Sequence, residues 1–174
     1  MRDFLASRGI TLPEGPADDD PAHDTVQGLG NRKNRFFNDI VRTQGVDPFP
    51  GSVRFIEAAE DAGLTLSVVS SSRNAPAVLK AAGLDGHFRI VVDGTVAAAA
   101  GIPGKPHPAT YEHAAALLEL PSENCVVVED AVSGVQAGSA GAFHSVIGVD
   151  RGAGRETLLR AGATFVVGDL DELL

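Results

Sequence analysis

One stretch narrows the possible folds more than any other: Cys125-Val126-Val127-Val128-Glu129-Asp130-Ala131-Val132-Ser133-Gly134. A short apolar run that stops abruptly at charge reads as a strand buried on both faces of a parallel sheet. The carboxyl end of such a strand is where open α/β sheets bind ligands. Two adjacent carboxylates are costly to hold there unless a cation lies between them. Mg2+ prefers oxygen ligands and often shares them with a phosphate. A strand end carrying two solvated acids is the other reading of the same residues.

The rest of the chain supports a sheet of this kind. From Ser52 onward, helix and strand signals alternate. Strands are expected at Leu64–Val69, Phe88–Val92, Asn124–Val128, Ser145–Val149 and Thr164–Val167. Helices are expected from a Ser52 N-cap to Ala62, after an Asn74 cap, and over Pro108–Leu120, Val132–Ala140 and Arg155–Ala161. This order makes a parallel sheet with helices on both faces. Residues 1–49 differ. Met1 to Gly9 reads as a short helix, and Thr11 to Asp24 as a loop in which Asp18, Asp19 and Asp20 are solvated charge. Asn31 to Gln44 reads as an amphipathic helix with Phe36, Phe37, Ile40 and Val41 on one face. The rigid connector Asp47-Pro48-Phe49-Pro50-Gly51 separates a small N-terminal part, residues 1–49, from an α/β core, residues 50–174.

Composition removes several classes of function. The net charge is −9, and no basic cluster is longer than Arg32-Lys33. Nucleic acid and anionic membrane surfaces are therefore not expected partners. No run approaches the ~18 apolar residues of a membrane helix, and no signal peptide is visible. The single cysteine, Cys125, cannot form a disulfide within the chain, which fits a reducing cytoplasm. Only three residues are lysine, Lys33, Lys80 and Lys105, so each warrants attention.

Two further segments carry chemistry-capable groups. Val68-Val69-Ser70-Ser71-Ser72-Arg73-Asn74 puts hydroxyls and backbone N–H groups at a strand-to-helix turn. Such a turn can cradle an anion, although serines before a helix also serve simply as caps. Gly104-Lys105-Pro106-His107-Pro108 holds a lysine between glycine and proline ahead of a helix. That suits a fixed cation facing a phosphate, or equally an exposed lysine in a helix-start loop. Together with Glu129-Asp130 these groups could neutralise the charge that develops in phosphoryl transfer.

In this order, Ser70, Lys105 in Gly-Lys-Pro-x-Pro, and Glu129-Asp130 before a small-residue helix resemble the haloacid dehalogenase (HAD) superfamily, and within it the β-phosphoglucomutase-like branch. The resemblance spans residues 31 to 174. It implies a HAD-type Rossmann-like parallel sheet with a partial helical cap in residues 1–49. It further implies that Ser70 and Lys105 bind the transferring phosphate and that Glu129 and Asp130 hold Mg2+. Ser71, Ser72, Arg73 and Asn74 would line the substrate pocket. Lys33, in Asn31-Arg32-Lys33-Asn34, would hold the far phosphate of a small phosphorylated substrate, a sugar phosphate by the family branch.

Two departures stand out. Ala109 occupies the place of an Asp in the lysine motif. The family's first motif, an apolar strand ending in Asp-x-Asp-Gly with the nucleophile that forms an aspartyl-phosphate, is absent. Val91-Val92-Asp93-Gly94-Thr95 is the nearest substitute, and Asp93 reads there as a turn residue. The resemblance thus implies a sheet missing its central strand, with the edges of the Ser70 and Glu129 strands unpaired. The expectation is an N-terminally incomplete chain that is inactive alone, with Met1 not the biological start. The alternative is a non-catalytic phosphate- or Mg2+-binding or regulatory remnant that a strand of another chain could complete. A phospho-receiver module is disfavoured, because its acidic pair precedes its lysine.

Overall fold

The computed structural model describes residues 2–174, apart from the side chain of Asp3. Met1, which opens the first expected helix, lies outside the described residues. The chain divides between Val46 and Asp47 into two compact units.

In the first unit, α1 spans Arg2–Ser7 and α2 spans Val26–Gln44. Helix α2 starts five residues ahead of the expected Asn31, because Thr25 caps it. The Thr25 Oγ1 accepts a hydrogen bond from the Gly28 N–H at 2.9 Å. Gly28 and Gly30 lower helix propensity and hid this first turn. Gly28 is nevertheless required, since a Cβ there would lie 2.4 Å from the His23 carbonyl oxygen. The acidic loop also departs from expectation. Asp19 is not solvated: it is 8% exposed and accepts from Thr25 Oγ1 at 2.6 Å and His23 Nδ1 at 2.7 Å. On α2, Val41 is buried but Phe36, Phe37 and Ile40 remain exposed.

The second unit begins with α3 at Pro50–Asp61. The helix starts at Pro50 rather than after Ser52, as suits a proline with no N–H to donate in a first turn. Strand β1 (Ser67–Val69), α4 (Ala75–Ala81) and β2 (Ile90–Val92) follow. Asn74 stands at the N-cap position of α4, but its side chain makes no capping bond. Helix α5, Gly94–Ala99, was not expected, since its six small residues carry no periodicity. Asp93 creates it by accepting from the N–H groups of Thr95 and Val96, both at 2.9 Å. Next come α6 (Ala109–Leu117), β3 (Val126–Glu129), α7 (Val132–Ala140), β4 (Ser145–Val149), α8 (Arg155–Arg160) and β5 (Phe165–Val167).

All strand pairs are parallel and fall into two sheets, β1–β2 and β3–β4–β5. Among the described residues no ladder joins β1 to β3. The larger sheet is apolar on both faces. Val127, Val146 and Val166 pack with Val135, Leu158 and Tyr111 on one side. Ile147, Val149 and Val167 pack with Phe55, Leu170 and Leu173 on the other. This is the expected α/β fold with helices on both faces. It brings the ends of β1 and β3 to the same side of the core, where Lys105 reaches both. No helix among the described residues is long and apolar enough to cross a membrane.

Two expected outcomes follow from this packing. Leu158 is 0% exposed, so Leu158→Ala should cost about 3 kcal/mol of unfolding free energy, read by urea denaturation; a loss below about 1 kcal/mol would contradict its place in the core. In the loop before α2, hydrogen bonding and attraction to Asp19 raise the His23 pKa above 6.5, while bonds from Thr25 and His23 lower that of Asp19. The His23 contribution is therefore complete below its unfolded pKa and is lost as pH rises through its folded one. Amide protection over residues 17–28, corrected for intrinsic exchange, should fall as pH is raised past that value. His23→Gln should remove the dependence.

Candidate active site

The site is built where β1 and β3 end. Strand β1 runs into Ser70 and strand β3 into Asp130. Lys105 stands in the loop before α6, next to a cis Lys105–Pro106 peptide. Its Nζ donates to the Val69 carbonyl oxygen at 3.1 Å and pairs with Glu129 Oε1. The ammonium also lies 4.6 Å from the centre of the Tyr111 ring. The side chains of Lys105 and Glu129 are only 9% and 11% exposed, so this is a buried ion pair.

Glu129 is fully engaged. Its Oε1 accepts from Lys105 and from the Tyr111 hydroxyl at 3.0 Å. Its Oε2 accepts from the N–H groups of Asp130 and Ala131, both at 2.8 Å. Four donors occupy the roughly four lone-pair sites of a carboxylate. Burial pushes the Glu129 carboxyl up, but the bonds from Lys105 and Ala131 outweigh it and hold it below the usual range. Asp130 differs. Its side chain is exposed, yet desolvation at the strand end, and then the Glu129 charge, hold its carboxyl above the usual range. Burial first, and Glu129 next, push the Tyr111 phenol far up, so it stays a neutral donor.

These contacts bear on the expected metal. Among the described residues no group of three or more His, Cys, Asp or Glu side chains could hold an ion. Glu129 could become a ligand only by releasing one of its four donors. Asp130 is open, and a cation would relieve its raised pKa. The residues present therefore fit Mg2+ held through one carboxylate and completed by phosphate and water, a common arrangement for this ion.

The remaining expected residues divide between the two units. The Ser70 N–H donates to the Val92 carbonyl oxygen at 2.9 Å, and its Oγ accepts from the Ser72 N–H at 3.1 Å. The Ser72 Oγ in turn accepts from the Asn74 N–H at 3.1 Å. The turn is thus self-bonded, with Ser71, Ser72 and Arg73 exposed and Asn74 half-buried. Ser70 follows Val69, whose carbonyl binds Lys105, so Ser70 and Lys105 share one strand end. Lys33 lies exposed on α2 of the other unit. Asp130 borders an open cleft of about 290 Å3 that is also lined by Phe49 and Arg151. Arg151 is already committed: it stacks 3.6 Å from the Phe49 ring centre and bonds to Asp169 and Ser52.

Sequence reasoning missed two residues here. Tyr111 stands among apolar residues of its helix, and its being the only tyrosine in the chain, shortly after Lys105, is the available signal. Gly134 lies against the Glu129 side chain, where a Cβ would fall 2.0 Å from Oε1.

A parallel α/β core with a serine, a buried lysine and an acidic pair at its strand ends defines a phosphate-handling class of protein. The chain belongs to the haloacid dehalogenase-like hydrolases, an enzyme family whose pattern it matches over residues 4–141. It is 46% identical over 177 residues to a β-phosphoglucomutase of Mycobacterium bovis, covering 100% of this chain and 68% of that protein. CbbY of Rhodobacter sphaeroides, solved in complex with xylulose-(1,5)bisphosphate, is 25% identical with a TM-score of 0.73, covering 88% of this chain and 68% of that one. A β-phosphoglucomutase structure from Clostridium difficile shares the fold, with a TM-score of 0.72 at 23% identity, over 84% of this chain and 62% of that one. The chain thus spans about two thirds of the length of these relatives.

Gly134→Ala tests the packing at Glu129. Alanine gains about 0.5–1 kcal/mol in a helix, whereas overpacking against a pinned side chain costs about 1–3 kcal/mol. A net loss of stability in chemical denaturation is expected. A net gain would show that Glu129 moves aside freely.

Proposed function

We propose that this chain carries the phosphate- and cation-facing part of a HAD-type phosphoryl-transfer site for a small phosphorylated sugar, acting as a phosphatase or in the manner of β-phosphoglucomutase. The observation that carries this reading is the buried Lys105 ammonium at the ends of β1 and β3. A lysine held with so little exposure is preorganised for an anion, since its orientation is set before the ligand arrives. Ser70 and Lys105 are assigned to the transferring phosphate, Asp130 with Glu129 behind it to Mg2+, and Ser71, Ser72, Arg73 and Asn74 to the pocket. Lys33, in the part assigned as a partial cap, is assigned to the far phosphate of the substrate. Mg2+, when bound, would neutralise charge on the phosphoryl group. The relatives named as phosphoglucomutases, and the one solved with a sugar bisphosphate, support the substrate class.

The route through an aspartyl-phosphate needs a carboxylate nucleophile beside Ser70 and Lys105. Asp93 is unsuited, being 5% exposed and spent on capping α5. Asp19 is bonded to Thr25 and His23. The chain by itself is accordingly assigned binding without turnover. That observation also favours the second reading, a non-catalytic phosphate- and Mg2+-binding protein.

The test is titration of the chain with inorganic phosphate in the presence of Mg2+, beside an assay with p-nitrophenyl phosphate and a panel of sugar phosphates. Phosphate binding without turnover is expected. Lys105→Ala should weaken binding about 10- to 100-fold, the worth of a charge-assisted hydrogen bond. Undiminished binding in that variant would remove the lysine from the site, and Mg2+-dependent turnover by this chain would overturn the missing nucleophile.

A further inference from the structure

The sole tyrosine of the chain stands at the centre of the site without having been assigned a part in it. Three contacts converge on Tyr111. Its hydroxyl donates to Glu129 Oε1 at 3.0 Å. Its ring face lies 4.6 Å from the Lys105 ammonium. The ring itself is locked, at 7% exposure, with Phe143 edge-on at 5.9 Å and 78°. An aromatic buried in this way normally needs no polar partner beyond one for its hydroxyl. Here that partner is the carboxylate that anchors the lysine.

We propose that Tyr111 is a positioning residue for the phosphate and cation site: its hydroxyl fixes Glu129 on Lys105, keeping the ammonium at the Ser70 strand end and leaving Asp130 as the carboxylate open to a cation. This rests on the reading of Lys105 and Asp130 given above.

The donors to Glu129 differ in their freedom to move. The N–H groups of Asp130 and Ala131 belong to the turn that follows β3, and both bind Oε2. They leave Oε1 to side chains alone. Lys105 is a flexible donor on a four-carbon stem and is the very group that a phosphate would attract. Tyr111 is the rigid donor, since its ring is held by the core. Without the hydroxyl, Oε1 keeps only the lysine, and the two backbone bonds to Oε2 are all that hold the carboxylate in place when a phosphate pulls on Lys105. The ring adds a second restraint, because a cation over an aromatic face is held electrostatically. Tyr111 therefore acts on both members of the ion pair while remaining outside the space a ligand would occupy.

Tyr111→Phe separates this role from packing, because it removes the hydroxyl and keeps the ring. The first readout is the side-chain ammonium spectrum of 15N-lysine protein. With only three lysines, of which Lys33 and Lys80 are exposed, a protected signal from Lys105 is expected in the wild type and should be lost or broadened in Tyr111→Phe. The second is titration with inorganic phosphate in the presence of Mg2+, which should be about 3- to 10-fold weaker in the variant, with the melting temperature held within a few degrees. Retention of both the ammonium signal and the affinity overturns the proposal. So does a variant that fails to fold or melts far below the wild type, because the hydroxyl would then be holding the core and not the site. As a second check, Phe143→Leu loosens the ring's packing and leaves the hydroxyl; an equal loss of affinity there would make the effect one of packing and overturn the proposal. If the wild type binds no phosphate, the functional reading falls, and the ammonium signal alone decides whether Tyr111 positions Lys105.

Discussion

The Lys105–Glu129 pair is the point on which the core depends. The two sheets share no ladder among the described residues, yet one ammonium bonds to the carbonyl that ends β1 and to the carboxylate that ends β3. A charge withdrawn from water to this degree is costly unless it is paired and its remaining hydrogen-bonding sites are met. Both conditions are satisfied, by Val69, Tyr111 and two backbone N–H groups. Breaking such a pair leaves an unpaired buried charge, at a cost of about 3–5 kcal/mol. The same arrangement that ties the sheets together also aims a cation at the strand ends. Stability and the placement of the ammonium are therefore not separable at Lys105.

The two acids at the end of β3 have different fates, set by which donors reach each of them. The Glu129 carboxylate is taken up by Lys105, Tyr111 and two backbone N–H groups, whereas Asp130 stays exposed at the open cleft that both acids line with Arg151. One carboxylate is stabilised in its charged form and the other is destabilised in it. An adjacent acidic pair read from sequence suggests two equal ligands for one ion. The fold makes them instead an anchored carboxylate and an exposed one. Gly134 belongs to this division, because only a missing side chain leaves room for Glu129 to lie back against α7.

What could be read in advance was whatever leaves a trace in local order along the chain. The apolar run before Glu129, the alternation of helix and strand, and the succession of Ser70, Lys105 and the acidic pair all belong to that class, and the parallel α/β fold followed from them. Contacts that depend on distant segments left no such trace. Tyr111 looks like any aromatic on a helix face until Glu129 is brought against it. Asp19 sits in a run of three acids, and nothing in that run distinguishes the one that Thr25 and His23 bury. Helix α5 is made of small residues without period, so its existence rests on the Asp93 cap alone. The start of α2 was hidden by glycines that weaken a helix in general but are demanded here by close approach to the loop before it.

Asp93 shows most clearly why residue type alone does not locate chemistry. It follows an apolar strand and precedes a glycine, which makes it the nearest substitute in the chain for the expected Asp-x-Asp-Gly motif. It is also nearly enclosed, a condition that can make a carboxylate reactive. Yet its Oδ1 accepts two N–H groups of the helix it initiates. An oxygen saturated in this way offers little electron density to a phosphorus atom, and freeing it would unwind the first turn of α5. A carboxylate able to attack a phosphate at Lys105 has to stand where β1 and β3 end, with an oxygen not already used by the fold. Among the acids described here, Asp130 alone combines that place with that freedom. Desolvation, and then its neighbour Glu129, disfavour its charged form, so a cation beside it is the natural counter-charge.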